Sequence, residues 1–337
     1  MKKSFIILLS LVAGFFNTAC EEDDFPVKTS VQYEEGIEIP EKAVVVAEQS
    51  RHSVLIVNSE NNEVVWSWDA FRGGISSGDR KLFENPSEAK PVCNNKYILM
   101  TASGGAVALI RVADHKMMCY TKCGDFPNPH SAELLPDGNI VVAESRNHEV
   151  NIIKTDFEKG KCEVIKDRKI GSAHNVVWDK DHKCLFLTGV VKENGENTTK
   201  LFRLDYNNNK QAPKFFNQKS FTLFNQAEPG GHDLFPVYGE KNKLWLTTAN
   251  AVYKIDVTDP YNITPDNVQK VYNLSDIKSV SNGPEGVLMI QPTTKWWSNQ
   301  IIDEQGNSKV ELTHSAMYKA RWMINNTFSY PENHDLK

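Results

Sequence analysis

Residues 44–57 read VVVAEQSRHSVLIV and residues 140–153 read IVVAESRNHEVNII. The copies start at 44 and 140, 96 positions apart, which is twice a unit of about 48. A period of about 40–50 residues built from short strands is the sequence mark of a β-propeller, in which each unit is one four-stranded blade. A single blade cannot bury its own apolar faces, so the repeat demands a ring of neighbours.

The unit is clearest around the second copy. His130-Ser-Ala-Glu-Leu-Leu alternates as a short strand, and Pro136-Asp137-Gly138-Asn139 makes a tight turn, with glycine free to take positive φ. Ile140–Glu144 is a continuous apolar strand, as burial on both faces requires. Val150–Lys154 and Cys162–Lys166 supply the third and fourth strands. Asp137-Gly-Asn139 lacks the further carboxylates of a calcium loop and is read as a turn. The same order recurs from Ser87 (YILMTAS, AVALIRV, MMCYTKC), from His174 (CLFLTGV, KLFRLDY, KFFNQ), from His232 (LWLTTAN, VYKIDV, VQKVYNL) and from Lys278 (VLMIQPT, NQIID, KVELT).

The first blade has three strands after Glu41, namely AVVVAEQ, SVLIVNS and EVVWSWD, and no inner strand of its own. Residues 316–324, AMYKARWMI, are strand-like and free to supply it. Joining the first and last segments in one blade removes two open edges. The expectation is an all-β, six-bladed β-propeller over residues 39–330 with a C-terminal strand closing the first blade, followed by a tail at 331–337. A seventh blade would have to fit into residues 21–40, which is too short.

Inner strands of a propeller converge on the central channel. Counting back ten residues from each second strand puts His130, Glu88 and Lys278 in one slot. Slightly longer turns bring His174 and His232 into it, and the closing strand offers Lys319 or Arg321. The expected ligand-binding ring is therefore Glu88, Lys90, His130, His174, His232, Lys278, Lys319 and Arg321 at one channel mouth. His130, His174 and His232 are the candidate ligands of a divalent metal. Without metal, the excess of cations over Glu88 would attract an anion.

Other features have plainer readings. Glu48 and Glu144 repeat on second strands and are expected to bond between strands. Trp66 and Trp68 alternate on an outer strand and read as inter-blade packing, whereas Trp296-Trp297 follows Pro292 with one ring open to stack on a sugar. Past Cys20 there are five cysteines, Cys93, Cys119, Cys123, Cys162 and Cys184, too odd a number to pair completely. Cys119 and Cys123 lie roughly 13 Å apart along one strand, too far for a disulfide. All five are read as small apolar fillers.

The N-terminus carries an address. Met1-Lys2-Lys3 precedes a short apolar run, Phe5–Phe16, which falls below the roughly 20 residues needed to span a membrane. Thr18-Ala19-Cys20 then resembles a bacterial lipobox. This implies a signal peptide at 1–19, lipidation of Cys20 and a tether over 20–38. Glu21-Glu22-Asp23-Asp24 resembles the acidic export signal of Bacteroidetes surface lipoproteins. The expected location is the outer membrane, exposed at the cell surface. A net charge of −5 offers no basic field for nucleic acid.

Ser87-Glu-Ala-Lys90, Pro129-His-Ser-Ala-Glu133, Ala173-His-Asn175, Gly230-Gly-His-Asp233 and Tyr318-Lys-Ala-Arg-Trp322 carry a wider likeness. With the anchor, they make residues 1 to about 330 resemble an uncharacterised family of six-bladed propeller lipoproteins of Bacteroidetes. The resemblance implies fold and location and no activity. Three readings of function follow. One is a monomeric surface protein, held on the membrane by its lipid, that binds or handles an acidic glycan at the channel mouth. Another is a metal-assisted polysaccharide lyase, and the third is a protein-interaction platform. No Ser-His-Asp arrangement, paired glycosidase carboxylates or P-loop stands out.

Overall fold

The computed structural model describes residues 38–125 and 127–336. The expected signal peptide at 1–19, lipidated Cys20, the acidic run Glu21–Asp24 and all but the last residue of the tether at 20–38 lie outside the described residues. The strands β1 (Ala43–Glu48), β2 (Ser53–Asn58) and β3 (Val64–Asp69) begin the first blade. Blade two is β4 (Pro86–Val92), β5 (Tyr97–Ala102), β6 (Ala106–Arg111) and β7 (Met117–Lys122). Blade three is β8 (Pro129–Leu134), β9 (Ile140–Glu144), β10 (Glu149–Asp156) and β11 (Lys161–Lys169). Blade four is β12 (Asn175–Asp179), β13 (Cys184–Glu193), β14 (Glu196–Tyr206) and β15 (Phe215–Thr222). Blade five is β16 (Asp233–Pro236), β17 (Lys243–Thr247), β18 (Val252–Asp256) and β19 (Val268–Tyr272). Blade six is β20 (Ser279–Gly283), β21 (Gly286–Ile290), β22 (Gln300–Ile302) and β23 (Ser308–Glu311). The last strand, β24 (Met317–Trp322), pairs antiparallel with β1, so the first sheet has the order β24-β1-β2-β3. The ring is a six-bladed propeller closed by its C-terminus, as the repeat requires.

Sequence alternation explains why second strands read as unbroken apolar runs. On β1, Ala43, Val45 and Ala47 pack with blade two, while Val44 and Val46 pack with blade six. Each of the six contacts between neighbouring blades has its own apolar cluster. Burying one such side chain contributes about 1.5–3 kcal/mol, so both faces of a blade must be covered. Trp66 and Trp68 are buried between blades one and two, and the Trp66 indole donates to the Val112 carbonyl at 3.0 Å. Glu48 Oε1 accepts from the backbone N–H of Ser50 at 3.0 Å and of Ala316 at 2.7 Å, so it holds the turn after β1 to the start of the closing strand.

One sequence expectation is corrected. Cys119 on β7 and Cys162 on β11 form a disulfide, with Cα atoms 6.1 Å apart. The outer strands of adjacent blades lie side by side, a proximity that distance along a single strand does not reveal. Cys93, Cys123 and Cys184 are free and buried, as fillers would be.

The pairing of Val44 with Trp322 and of Ala47 with Lys319 fixes the direction of the ring. All inner strands start at one mouth of the channel, here the first mouth. They finish at the second mouth, where the chain enters before β1. No helix among the described residues is long and apolar enough to cross a membrane.

Candidate functional site

The channel is filled by three levels of polar side chains. At the first mouth, the rings of His130 and His174 stack with centroids 4.5 Å apart, and His232 meets His174 edge-on at 5.7 Å. Lys278 Nζ lies 2.9 Å from His232 Nε2, and the Tyr318 hydroxyl lies 3.4 Å from His130 Nδ1. His174 Nδ1 is 2.7 Å from the Ser172 carbonyl, so that nitrogen carries the proton and donates. The blade-five histidine is placed by Gly230 and Gly231, whose φ values of +108° and +73° suit glycine. A Cβ on Gly231 would also sit 2.8 Å from Thr199 Cγ2.

The middle level is a closed ion network. Arg321 donates to both Asp233 oxygens at 2.7 Å and to Glu88 Oε2 at 3.0 Å. Lys319 donates to Asn175 Oδ1 at 2.9 Å, Asp233 Oδ1 at 3.2 Å and Glu88 Oε2 at 3.3 Å. The Arg321 guanidinium also lies over the Phe235 ring, 4.2 Å from its centroid. All four charged side chains are buried, with Arg321 at 0% exposure. Two cations and two carboxylates leave the level neutral. Burial opposes the charged forms, but the partners win. Arg321 and Lys319 hold Asp233 down to about 2 and keep Glu88 below its usual range, while Asp233 and Glu88 push Arg321 up. Removing one partner from such a network leaves an uncompensated buried charge, a cost of about 3–5 kcal/mol.

At the third level, Lys90 donates to Glu133 Oε2 at 2.9 Å and to the Val176 carbonyl at 2.8 Å, and the Tyr330 hydroxyl bonds Glu133 from the other side. Burial pushes the Glu133 carboxyl up. The eight residues expected to form the ring thus do converge on the channel, but at different depths. His130, His174, His232 and Lys278 face the first mouth. Glu88, Lys319 and Arg321 are sealed below them, and Lys90 lies lower still. Lys319, Arg321 and Lys90 are consumed by internal partners, which corrects the expectation that they would help attract an anion.

Sequence spacing does not single out Asp233, Asn175, Glu133 and Tyr330, which the structure adds to the channel. The first three sit inside the short motifs quoted above, beside or near a selected histidine. Spacing that takes one slot, or alternate residues, on a strand misses them, because an inner strand stands edge-on to the axis and can send successive residues toward it. His232 and Asp233 do this.

The expected three-histidine metal site does not fit the geometry. Metal-binding lone pairs lie in the imidazole plane, and stacked rings aim them side by side. His174 Nδ1 is spent on a carbonyl, His232 Nε2 faces an ammonium, and His130 Nε2 is 3.1 Å from the Asn128 amide nitrogen. Among the described residues no group of three His, Cys, Asp or Glu is arranged to hold a metal ion.

The first mouth can instead hold negative charge. Burial lowers all three histidines, to about 4 for His174, to about 3 for His232 and well below the ordinary value for His130, so they are neutral at pH 7. Lys278 is buried at 8% exposure, which lowers its pKa, and Asp276 opposes that shift. His232 Nδ1 is buried without a hydrogen-bond partner. At the same end, Trp296 is 49% exposed. Its indole N–H donates to Gln49 at 2.9 Å, and Gln49 in turn donates to the Pro86 carbonyl at 3.0 Å. The loop carrying Trp296 is tied to the closing strand by paired backbone bonds between Ser298 and Met317, next to Tyr318. Trp297 is half-buried.

Among solved structures, a protein of unknown function from Bacteroides caccae superposes with a TM-score of 0.54 at 12% identity, covering 84% of this chain and 98% of that one. A functionally unknown protein from Desulfotomaculum acetoxidans gives a TM-score of 0.50 at 12% identity, covering 83% and 79%. The β-propeller domain of Cps50 (Swd1) from Myceliophteria thermophila gives 0.50 at 12%, covering 85% and 88%. These likenesses show the fold. No curated protein matches the chain. The family model described as a family of unknown function, DUF6528, matches residues 1–337, and the chain belongs to that family.

Proposed function

We propose that this propeller is an exported, lipid-anchored binding protein that takes an acidic sugar at its first mouth. The observation that carries the reading is Lys278, a buried ammonium whose hydrogen-bond contact is the neutral His232 ring and whose charge is offset in part by Asp276, above a plug whose charges already cancel. A carboxylate entering there meets a cation and N–H and O–H donors, and a charge-assisted bond at low dielectric is strong. Trp296 supports a sugar, because its indole edge is fixed while its face is half open. The chain enters at the opposite end of the ring, so a tether from Cys20 would join the propeller away from the first mouth. The stacked histidines do not suit the metal that the lyase reading requires.

Titration calorimetry of the full chain in detergent with trigalacturonate tests this. Lys278→Ala should weaken binding at least tenfold, about 1.4 kcal/mol. Equal affinity for the variant and the parent, or no binding by either, refutes the reading.

A further inference from the structure

The buried ion network blocks the axis, so the second mouth is an independent space. There a cavity of about 460 Å³ opens below Lys90, Glu133 and Phe235. This lies within the range of about 300–1,000 Å³ typical of small-ligand sites. One wall is the turn after β16. Another is the segment after β24, which folds back across this mouth and is tied to blade four by the Lys180 N–H donating to the Phe328 carbonyl.

The charges in these walls have opposite or hydrogen-bonding partners close by. Lys90 pairs with Glu133 at 2.9 Å, Asp181 with Lys180 at 3.3 Å and with Lys241 at 3.7 Å, and Glu240 with Lys254. Asp179 accepts from His182 and from two backbone N–H groups. Beside these ion pairs, whose charges offset one another, the cavity offers aromatic faces and the amides of Asn242 and Asn325. Tyr238 is the most telling. Asn282 clamps its backbone, accepting from the Tyr238 N–H at 2.9 Å and donating to its carbonyl at 3.0 Å, while the side chain stays 43% exposed. An exposed ring on a clamped backbone, beside amides, suits the apolar face and hydroxyl edge of one molecule.

We infer that the second mouth is a binding site for a neutral sugar, separate from the acidic-sugar site at the first mouth. Calorimetry of the full chain with maltose, cellobiose, xylobiose and mannobiose tests it, each to about 10 mM. At least one should bind with one-to-one stoichiometry. Tyr238→Ala should weaken that binding at least tenfold, and because the ring is exposed the variant should fold normally. Lys278→Ala should leave it within twofold, which separates this site from the first. Binding of none of the four, an affinity unmoved by Tyr238→Ala, or a loss caused by Lys278→Ala overturns the inference.

Discussion

His130, His174 and His232 sit in the folded protein as neutral rings, and this has a consequence for pH. Each has a folded pKa lowered by burial, to about 4 for His174 and about 3 for His232, against an ordinary 6.5. The unfolded chain therefore binds more protons as pH falls below 6.5, and the stability these rings confer is present above that value and lost toward pH 4. Glu88 and Asp233, lowered by Arg321 and Lys319, remain ionised through that window and lose their contribution only below about pH 4. The melting temperature should thus fall steadily from pH 6.5 to 4, and replacing the three histidines with asparagine should flatten that slope. An unchanged slope would mean the rings are not held neutral. The residue types of this mouth were legible in the sequence, since three histidines and a lysine recur at one slot. Their partners were not. Whether a buried lysine bonds a neutral ring, like Lys278, or buried carboxylates, like Lys319, depends on Asp233 and Glu88 arriving from other blades, and no local spacing encodes that.

At the scale of strands, the apolar runs, the turns and the missing inner strand of the first blade could all be read directly, because alternation and ring closure are local or topological demands. The Cys119–Cys162 link could not, because it joins outer strands 43 positions apart whose lateral contact follows only once the ring exists. In the loop-entropy account, a closed loop of that length stabilises by about 4 kcal/mol. Cys119→Ser should lower unfolding stability by about that amount in denaturant titrations. A non-reducing digest of the parent should release the peptides containing Cys119 and Cys162 as one species. Separate peptides, or a variant as stable as the parent, would contradict the link. The same staple ties blade two, which carries Glu88 and Lys90, to blade three, which carries His130 and Glu133, and so helps hold the channel levels in register.

Seen whole, the molecule is a ring whose axis is stoppered. The middle network leaves Glu88, Asp233, Lys319 and Arg321 almost without exposed surface, so neither mouth communicates with the other through open space. One mouth is cationic with polarisable neutral rings; the other is charge-balanced, aromatic and crossed by the C-terminal segment. The direction of β1 puts chain entry beside the second mouth and leaves the first at the far end. A crystal structure of the protein soaked with trigalacturonate shows whether the first mouth receives a carboxylate. Density is expected over the stacked histidines, with a ligand carboxylate oxygen about 2.7–2.9 Å from Lys278 Nζ and a sugar ring against Trp296. A saturating soak that leaves this mouth free of sugar, or that places the carboxylate away from Lys278, would contradict it.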